Sequence, residues 1–215
     1  MTLEDPAALR LTVVTSAAFA GRSHRDVARA AILGGATAIQ LRAPELHDGE
    51  LRALAAELAG ACRAAGVRFL VNDRPEVAAA VGADGAHVGA RDDPAGARAL
   101  LGSEPILGIS VASAEEAARA RELGADYVGV TVWATATKPE ALPAGLEAVR
   151  ACAAAGLPVV GIGGIDASNA AAVIRAGAAG VAVISAVAGA DDPEEATRRL
   201  AEAVGAAVGA GGAQR

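Results

Sequence analysis

Short apolar runs alternate with Ala-rich segments along the whole chain, and these runs fall into two sets. The first set follows a Gly-Ala pair, at Gly35 (GATAIQLR), Gly82 (GADGAHVG), Gly124 (GADYVGV) and Gly177 (GAAGVAVIS). The second set lies between the first, at Leu11 (LTVVT), Val67 (VRFLVND), Pro105 (PILGIS) and Leu157 (LPVVGIGG). All are short, apolar on both faces and rich in Val and Ile, which is typical of strands buried in a parallel sheet. The pattern therefore predicts eight strands.

The Ala-rich segments between these strands carry outward Arg and Glu residues and predict helices. The glycine before each even-numbered strand is expected to end a helix. Strict alternation of eight strands with helices in 215 residues favours a closed α/β barrel, the (βα)8 TIM barrel, over an open doubly wound sheet. We expect a single domain, with the barrel at about 9–207 and a flexible C-terminal tail at 208–215.

Composition narrows the class of protein further. A hydrophobic content of 53% is enough to bury a core, and the net charge of -6 leaves no basic stripe for a nucleic-acid partner. Cys62 and Cys152 both lie in predicted helices, which supports neither a disulfide framework nor a zinc site and indicates a reducing compartment. Without a signal sequence or an apolar membrane span, we expect a cytoplasmic protein with no membrane partner. A homo-oligomer is compatible with the sequence, which does not specify an oligomeric state.

Polar residues and glycines collect just after the predicted strands, where barrels of this type carry their functional loops. They are Gln40 and Arg42 after the second strand, Asn72, Asp73 and Arg74 after the third, His87 and Asp92 after the fourth, and Ser110 after the fifth. The longest connection (TVWATATKPEALPAG) follows the sixth strand, Gly161–Ile165 (GIGGI) the seventh, and Ile184 and Ser185 the eighth.

The GIGGI segment, Gly161–Ile165, precedes Asp166, Ser168 and a predicted helix. It is similar to half of the phosphate cup that barrels build from the loops after strands seven and eight, where backbone N–H groups approach an anion. The alternative is a tight turn without a ligand. The motif Val183–Ala186 (VISA) after the next strand favours the phosphate cup.

Asp73 and Asp92 follow neighbouring strands, so their carboxylates are expected to converge above the barrel. Hard oxygen ligands of this kind suit Mg2+, which takes its remaining ligands from waters and substrate phosphates. The alternative is a solvated acid at the start of a helix. Asp93, directly before Pro94, is the better candidate for that capping role.

Thr135, Thr137 and Lys138 place two hydroxyls and one ammonium on the long loop, a set suited to a pyrophosphate that leaves with negative charge. Arg42 can add a bidentate contact. A lone lysine on a loop is usually solvated, so this interpretation depends on the position of the loop.

Two further residues keep two interpretations each. His87 ends an apolar run, where a hydrogen-bonded core histidine is at least as compatible as a catalytic one. Trp133 is compatible with a lid over the site or with plain packing.

In order and spacing these motifs resemble the thiamine phosphate synthase family along essentially the whole chain. The motifs that carry the resemblance are GATAIQLR, FLVNDR, GADGAHVG leading to Asp92, GIS with Ser110, GADYVGV, TATK with Lys138, GIGGI with Gly164, and VISA with Ile184 and Ser185.

The resemblance implies a transferase that couples hydroxymethylpyrimidine pyrophosphate with thiazole phosphate, giving thiamine phosphate and pyrophosphate, with Mg2+ as cofactor. It implies that the pyrophosphate is held by Gln40, Arg42, Asn72, Lys138 and, with the metal, by Asp73 and Asp92. Ser110 would contact the pyrimidine, and the thiazole phosphate would lie against Thr135, Thr137, Gly164, Ile184 and Ser185. Arg42, Ser110 and Lys138 are the expected catalytic residues.

The chain departs from the family pattern at several positions. Pro44 stands where the family commonly has a lysine, Ala90 where glutamine is usual, and Ala112 where a polar residue or histidine is common. Two other functions therefore remain as alternatives. One is a thiazole tautomerase of the same superfamily, which needs a histidine acid/base and no metal. The other is a binding protein that keeps the phosphate cup but has lost coupling.

Arg91, directly before Asp92, is our hypothesis for the residue that replaces the missing lysine. Changing Arg91 to Ala is then expected to weaken the affinity for the pyrophosphate substrate, measured as its KM. An unchanged KM would reject this role for Arg91.

Overall fold

The computed structural model describes residues 5–19, 21–89, 92–134 and 142–212, and these form a closed barrel of eight parallel strands. Each strand pairs with the next in chain order, and the eighth pairs with the first. The predicted (βα)8 barrel is thereby confirmed. The strands are β1 (Leu11–Val14), β2 (Ala38–Leu41), β3 (Arg68–Asn72), β4 (Gly85–Val88), β5 (Ile106–Val111), β6 (Tyr127–Thr131), β7 (Val159–Ile162) and β8 (Gly180–Val183).

Helices surround the barrel and connect its strands. They are the short 3-10 helix η1 (Pro6–Leu9), α1 (His24–Leu33), α2 (Asp48–Ala65), α3 (Pro75–Val81), α4 (Pro94–Leu101), α5 (Ala114–Glu122), α6 (Gly145–Ala154), α7 (Ala170–Arg175), α8 (Ser185–Ala188) and α9 (Pro193–Gly212). In the part of the chain that the structure describes, no helix is both long and apolar enough to cross a membrane.

The Gly-Ala repeats mark equivalent turns before the even-numbered strands. Gly82 is the C-cap of α3 and has a left-handed backbone, with φ of 62°. Gly35, Gly124 and Gly177 follow the ends of their helices and also have positive φ, at 93°, 83° and 105°. The predicted C-cap glycine is therefore confirmed at Gly82, whereas at the other three turns the C-cap is the preceding residue and the glycine follows it.

The residue after each Gly-Ala pair ties the turn to the preceding strand. The backbone N–H of Thr37, Asp84, Asp126 and Ala179 donates to the carbonyl oxygen of Leu11, Phe69, Leu107 and Val159, respectively. At three of these turns the side chain also accepts the N–H of the same strand residue, at 2.9 Å for Thr37, 2.8 Å for Asp84 and 2.9 Å for Asp126. The repeat in the sequence thus forms the same set of hydrogen bonds between turn and strand at the amino end of the barrel, and we call each set a latch.

Apolar side chains fill two separate layers. The larger core lies between the barrel and its helices, whereas a second cluster lies inside the barrel. Inside, Leu9 of η1 packs with Leu70 and Ile106 near the amino ends of the strands. Because apolar side chains fill that end of the interior, the interior has room for a ligand at the carboxyl end.

The C-terminal helix is the longest of the described helices. Helix α9 continues through Gly212, beyond the end of the barrel expected near residue 207, so the helix includes much of the expected tail. It packs against the end of α1, where a Cβ on Gly34 would lie 2.5 Å from the carbonyl oxygen of Glu194. Thr197, which is fully buried, donates to the Pro193 carbonyl within the same helix.

The latch at Asp126 is expected to contribute most to stability, because its carboxylate is 9% exposed and lies 2.6 Å from Arg98. Asp126→Ala would leave the Arg98 guanidinium and the Leu107 N–H without this partner, at a cost of about 3 kcal/mol in the free energy of unfolding. Urea unfolding measures the loss. Asp84→Ala is the matched control, since the Asp84 pair with Arg68 is more exposed and should cost about 1 kcal/mol. Equal losses in the two variants would contradict this ranking.

Candidate active site

One cavity opens at the carboxyl ends of the strands and brings together most of the residues singled out from the sequence. Those that line it are Gln40, Arg42, Asn72, Asp73, His87, Ser110, Gly164, Ile184 and Ser185. Residues separated widely along the chain converge there because parallel strands all end at the same rim of the barrel.

Two glycines make space for aromatic rings inside the upper half of the barrel. A Cβ on Gly108 of β5 would lie 2.2 Å from Cζ of Tyr127, and a Cβ on Gly129 of β6 would lie 2.9 Å from Cε1 of His87. Because side chains alternate along a strand, Tyr127, Gly129 and Thr131 share the inner face of β6. The narrow interior therefore accommodates both rings only with glycine at these two positions.

A hydrogen-bonded chain runs from the barrel interior to the cavity wall. The phenol oxygen of Tyr127 lies 2.9 Å from Nδ1 of His87, and Nε2 of His87 lies 2.9 Å from Oγ of Ser110. Burial raises the pKa of Tyr127, so its phenol stays protonated at neutral pH. His87 thus lines the cavity and is hydrogen-bonded at both ring nitrogens. The hydrogen bonds match the interpretation as a bonded core histidine, and the position in the cavity keeps the catalytic interpretation open.

Tyr127 is the cavity residue that sequence reasoning missed. It stands at the start of β6, two and four residues before Gly129 and Thr131 on the same face. The strand alternation alone places it inside the barrel, and a buried tyrosine usually finds a hydrogen-bond partner. The inward position in β6 and the need of a buried tyrosine for a hydrogen-bond partner together could have identified Tyr127 from the sequence.

Arg42 supplies the positive charge of the cavity wall. It follows β2, and it is the one Arg or Lys among the lining residues in the described part of the chain. Gln40, one residue inside β2, is 6% exposed. A guanidinium beside a buried amide suits a phosphate group, since the guanidinium can donate two parallel hydrogen bonds to its oxygens.

Asp73 lies on the cavity wall in an unusual backbone conformation. Its φ is 61°, and it is the one residue other than glycine with a positive φ in the described ranges. Its N–H donates to the carbonyl of His87 at 2.8 Å, which holds this conformation against β4. Left-handed Asp residues are uncommon, and such strained positions cluster at functional sites.

Asp92 is not among the lining residues of this cavity, but it is bound to one of them. Its Oδ2 accepts the N–H of Gly89, a lining residue, at 2.7 Å, which leaves Oδ1 able to accept another partner. Asp73 and Asp92 are exposed residues on the loops after β3 and β4, and carboxylates are ligands of the kind that Mg2+ takes. Within the described residues, no cluster of three or more His, Cys, Asp or Glu side chains forms a metal cage.

The expected capping acid is confirmed, because Asp93 accepts the N–H of Gly96 at 2.9 Å.

The glycines of the GIGGI segment form the opposite wall. Gly163 and Gly164 have φ of 90° and 63°, and a Cβ on either would meet the loop after β6, at 2.6 Å from the Trp133 carbonyl oxygen and 3.0 Å from Trp133 Cβ. The Asn169 amide donates to the Gly164 carbonyl at 2.9 Å and braces the turn. Trp133 itself packs against the hydrophobic core, which matches the packing interpretation.

Several predicted residues lie outside the described residues. They are Thr135, Thr137, Lys138, Ala90 and Arg91. Of the departures from the family pattern that are described, Ala112 donates its N–H to Glu116 at 2.6 Å, and Pro44 lies in a turn closed by the Leu46 N–H and the Ala43 carbonyl.

The two cysteines take no part in this cavity. Both are buried and free, and burial raises the pKa of the Cys62 thiol to about 12 and also raises that of Cys152. They are packing residues of the helical layer.

A closed parallel barrel with a cavity at the carboxyl ends of its strands defines the class of (βα)8-barrel enzymes. Residues 11–187 match the family model described as thiamine monophosphate synthase. The chain belongs to this family.

Individual relatives agree along nearly the full length. A thiamine-phosphate synthase of Moorella thermoacetica is 51% identical over 201 residues, covering 92% of this chain and 96% of the relative. One from Chloroflexus aurantiacus is 50% identical over 196 residues, covering 89% and 90%. The solved structure of a thiamine phosphate pyrophosphorylase from Pyrococcus furiosus superimposes with a TM-score of 0.88 at 37% identity, covering 94% of this chain and 98% of that one.

Gly164 is expected to be essential to the shape of the cup. Gly164→Ala adds backbone strain of about 1–2 kcal/mol and a contact with Trp133, so we expect the Kd for thiazole phosphate to rise about tenfold. Calorimetric titration measures this affinity.

Gly66→Ala is the matched control for this prediction. Gly66 has a similar φ of 71°, has open space where an added Cβ would lie, and is at the opposite end of the barrel. It should lose similar stability and keep its affinity. An equal loss of affinity in both variants would mean that the cup is not the binding site.

Proposed function

We propose that this protein couples hydroxymethylpyrimidine pyrophosphate with thiazole phosphate, releasing thiamine phosphate and pyrophosphate, in a reaction that depends on Mg2+. The observation that carries the proposal is the division of one cavity into two walls. Arg42 and Asp73 line one side and Gly163 and Gly164 another, so two anionic groups would have separate places. Relatives named thiamine-phosphate synthase at about half identity support the same reaction.

The pyrophosphate wall would consist of Gln40, Arg42 and Asn72, with Lys138 from the long loop. The Arg42 guanidinium and the amide groups donate to phosphate oxygens, which fixes the orientation of the scissile carbon–oxygen bond. Asp73 and Asp92 would hold Mg2+, which supplies positive charge to the pyrophosphate as it leaves.

The pyrimidine would lie over Ser110. The phenol of Tyr127 stays protonated and would donate to Nδ1 of His87, with the imidazole proton on Nε2, facing Ser110. In that arrangement Ser110 would accept the proton of His87 in a hydrogen bond and turn its own hydroxyl proton to the cavity. A ring nitrogen of the pyrimidine is a suitable acceptor for it.

The thiazole phosphate would occupy the second wall, against Gly164, Ile184 and Ser185, with Thr135 and Thr137 from the long loop. Backbone N–H groups in the two left-handed glycines can approach a phosphate closely. This placement leaves the thiazole ring between the cup and the pyrimidine.

In this reaction the carbon–oxygen bond breaks first, and the pyrimidine stabilises the resulting cation. The thiazole nitrogen then donates its electron pair to that carbon, so the new bond forms without a general base. The proposal accordingly gives His87 no role as a base and assigns it to the hydrogen-bonded chain with Tyr127 and Ser110. Catalysis depends on positioning and on stabilisation of the leaving group.

The direct test is turnover of both substrates with Mg2+, followed by detection of thiamine phosphate and pyrophosphate. Asp73→Asn is expected to lower kcat/KM by about 100-fold or more, because it removes a charge that helps to hold the metal. Omitting Mg2+ should reduce wild-type turnover to the same level.

Asp93→Asn is the matched control, since Asp93 caps α4 beside Asp92 and is assigned no ligand. It should keep wild-type kinetics. Full activity of Asp73→Asn would reject the metal site, whereas wild-type protein that binds thiazole phosphate without turnover would favour the tautomerase or the binding protein.

A further inference from the structure

A second histidine is buried close to Arg42 of the cavity wall, outside the set of residues described above. His24, the first residue of α1, is 5% exposed. Its Nδ1 lies 2.8 Å from Oγ1 of Thr15, which follows β1, and its Nε2 lies 2.6 Å from Oε1 of Glu45, in the loop between β2 and α2. One imidazole thus joins three successive segments of the barrel rim.

The hydrogen-bond partners define the direction of this chain. Thr15 Oγ1 accepts the backbone N–H of Arg42 at 3.3 Å, so its own proton is available to donate to Nδ1 of His24. Nε2 of His24 then carries a proton and donates to the Glu45 carboxylate. Partial burial alone would raise the pKa of Glu45, but the hydrogen bond from His24 and a backbone hydrogen bond outweigh it and lower that pKa, so the carboxylate is ionised at neutral pH.

The hydrogen-bonded series Thr15–His24–Glu45 holds the loop after β2 at both ends. At its start, the Arg42 N–H is bound by Thr15, which in turn donates its backbone N–H to the Gln40 carbonyl at 2.9 Å. Three residues later, the side chain of Glu45 is bound by His24. The Leu46 N–H closes a turn on the Ala43 carbonyl at 3.2 Å, and this turn contains Glu45.

Pro44 is well suited to that turn. It occupies the second position, where the fixed φ of proline is already that of a common turn. A lysine at this position, as in the family pattern, would add a charge to the site but would lack the fixed φ of proline. This chain has instead a restrained loop that carries a single arginine.

The bond to His24 also affects the charge next to Arg42. The ionised Glu45 is close enough to Arg42 for their charges to interact, yet in the described residues no ion pair joins them, and the carboxylate is bound to His24. The Arg42 guanidinium is therefore left available for an anionic ligand.

We propose that His24 is a positioning residue for Arg42, which through Thr15 and Glu45 holds the loop after β2 in the conformation that binds the pyrophosphate group. The proposal rests on the proposed function, in which Arg42 contacts this group. His24 touches no substrate. Its effect on binding passes through the backbone and the guanidinium of Arg42.

The test is the affinity for inorganic pyrophosphate with Mg2+, measured by calorimetry, which needs no turnover. His24→Ala and Thr15→Val each break the chain, the second with little change in shape, and each should raise the Kd about tenfold. The KM for the pyrophosphate substrate should rise similarly, while the KM for thiazole phosphate stays within about twofold. His24→Gln, which keeps a donor and an acceptor, should recover part of the affinity.

A double-mutant cycle with Arg42→Ala separates positioning from general loosening of the protein. If His24 acts through Arg42, His24→Ala in the Arg42→Ala background should change the Kd by less than about twofold. Arg25→Ala is the control, because Arg25 is the next residue of α1 and forms an exposed pair with Glu57 at 2.8 Å. It should leave pyrophosphate binding unchanged.

The proposal is overturned if His24→Ala and Thr15→Val bind pyrophosphate as tightly as wild type. It is equally overturned if His24→Ala has the same effect with and without Arg42. Failure of the proposed function gives a different result, since it appears as wild-type protein that forms no thiamine phosphate from both substrates.

Discussion

The narrow interior of the barrel is the constraint on which the site depends. An eight-stranded barrel is just wide enough for its own side chains to fill it, so any space inside must be made by removing side chains. Here the amino half is closed by Leu9, Leu70 and Ile106. In the carboxyl half, Gly108 and Gly129 give up their side-chain volume to the rings of Tyr127 and His87. The floor of the cavity is therefore polar, because glycine in β5 and in β6 leaves room there for the phenol of Tyr127 and the imidazole of His87.

The architecture was predictable from the sequence because its signals are local. Each apolar run and each Gly-Ala pair reports on a few neighbouring residues, and the barrel repeats that unit. The cavity residues were predictable for a related reason, since any residue just after a strand must lie at the carboxyl rim. The barrel was expected to end near residue 207 and a tail to follow it. Helix α9 nevertheless continues to Gly212, with Val204 and Ala207 buried along its length.

The contacts that sequence reasoning missed are long-range. Tyr127 meets His87 across 40 residues, and His24 meets Glu45 across 21. A lone tyrosine in a strand and a lone histidine at a helix start carry no periodic pattern that names their partners. Pro44 was noticed as the loss of a lysine, and the turn that it supports became visible only when β1, β2 and α1 were placed side by side. Local patterns thus give the position of a side chain, whereas its partners depend on the three-dimensional fold.

The magnitudes show why a restrained loop can replace a second cation. A hydrogen bond to a charged group contributes about 1.5–3 kcal/mol, and ordering the backbone of one residue costs about 1–2 kcal/mol. A loop already ordered by Pro44, Thr15 and His24 has met most of that entropic cost during folding, before any ligand arrives. The gain from pre-ordering two or three residues is therefore comparable with the contact that a lysine would add. In this chain, affinity for an anion at Arg42 is a property of the folded rim as much as of the guanidinium.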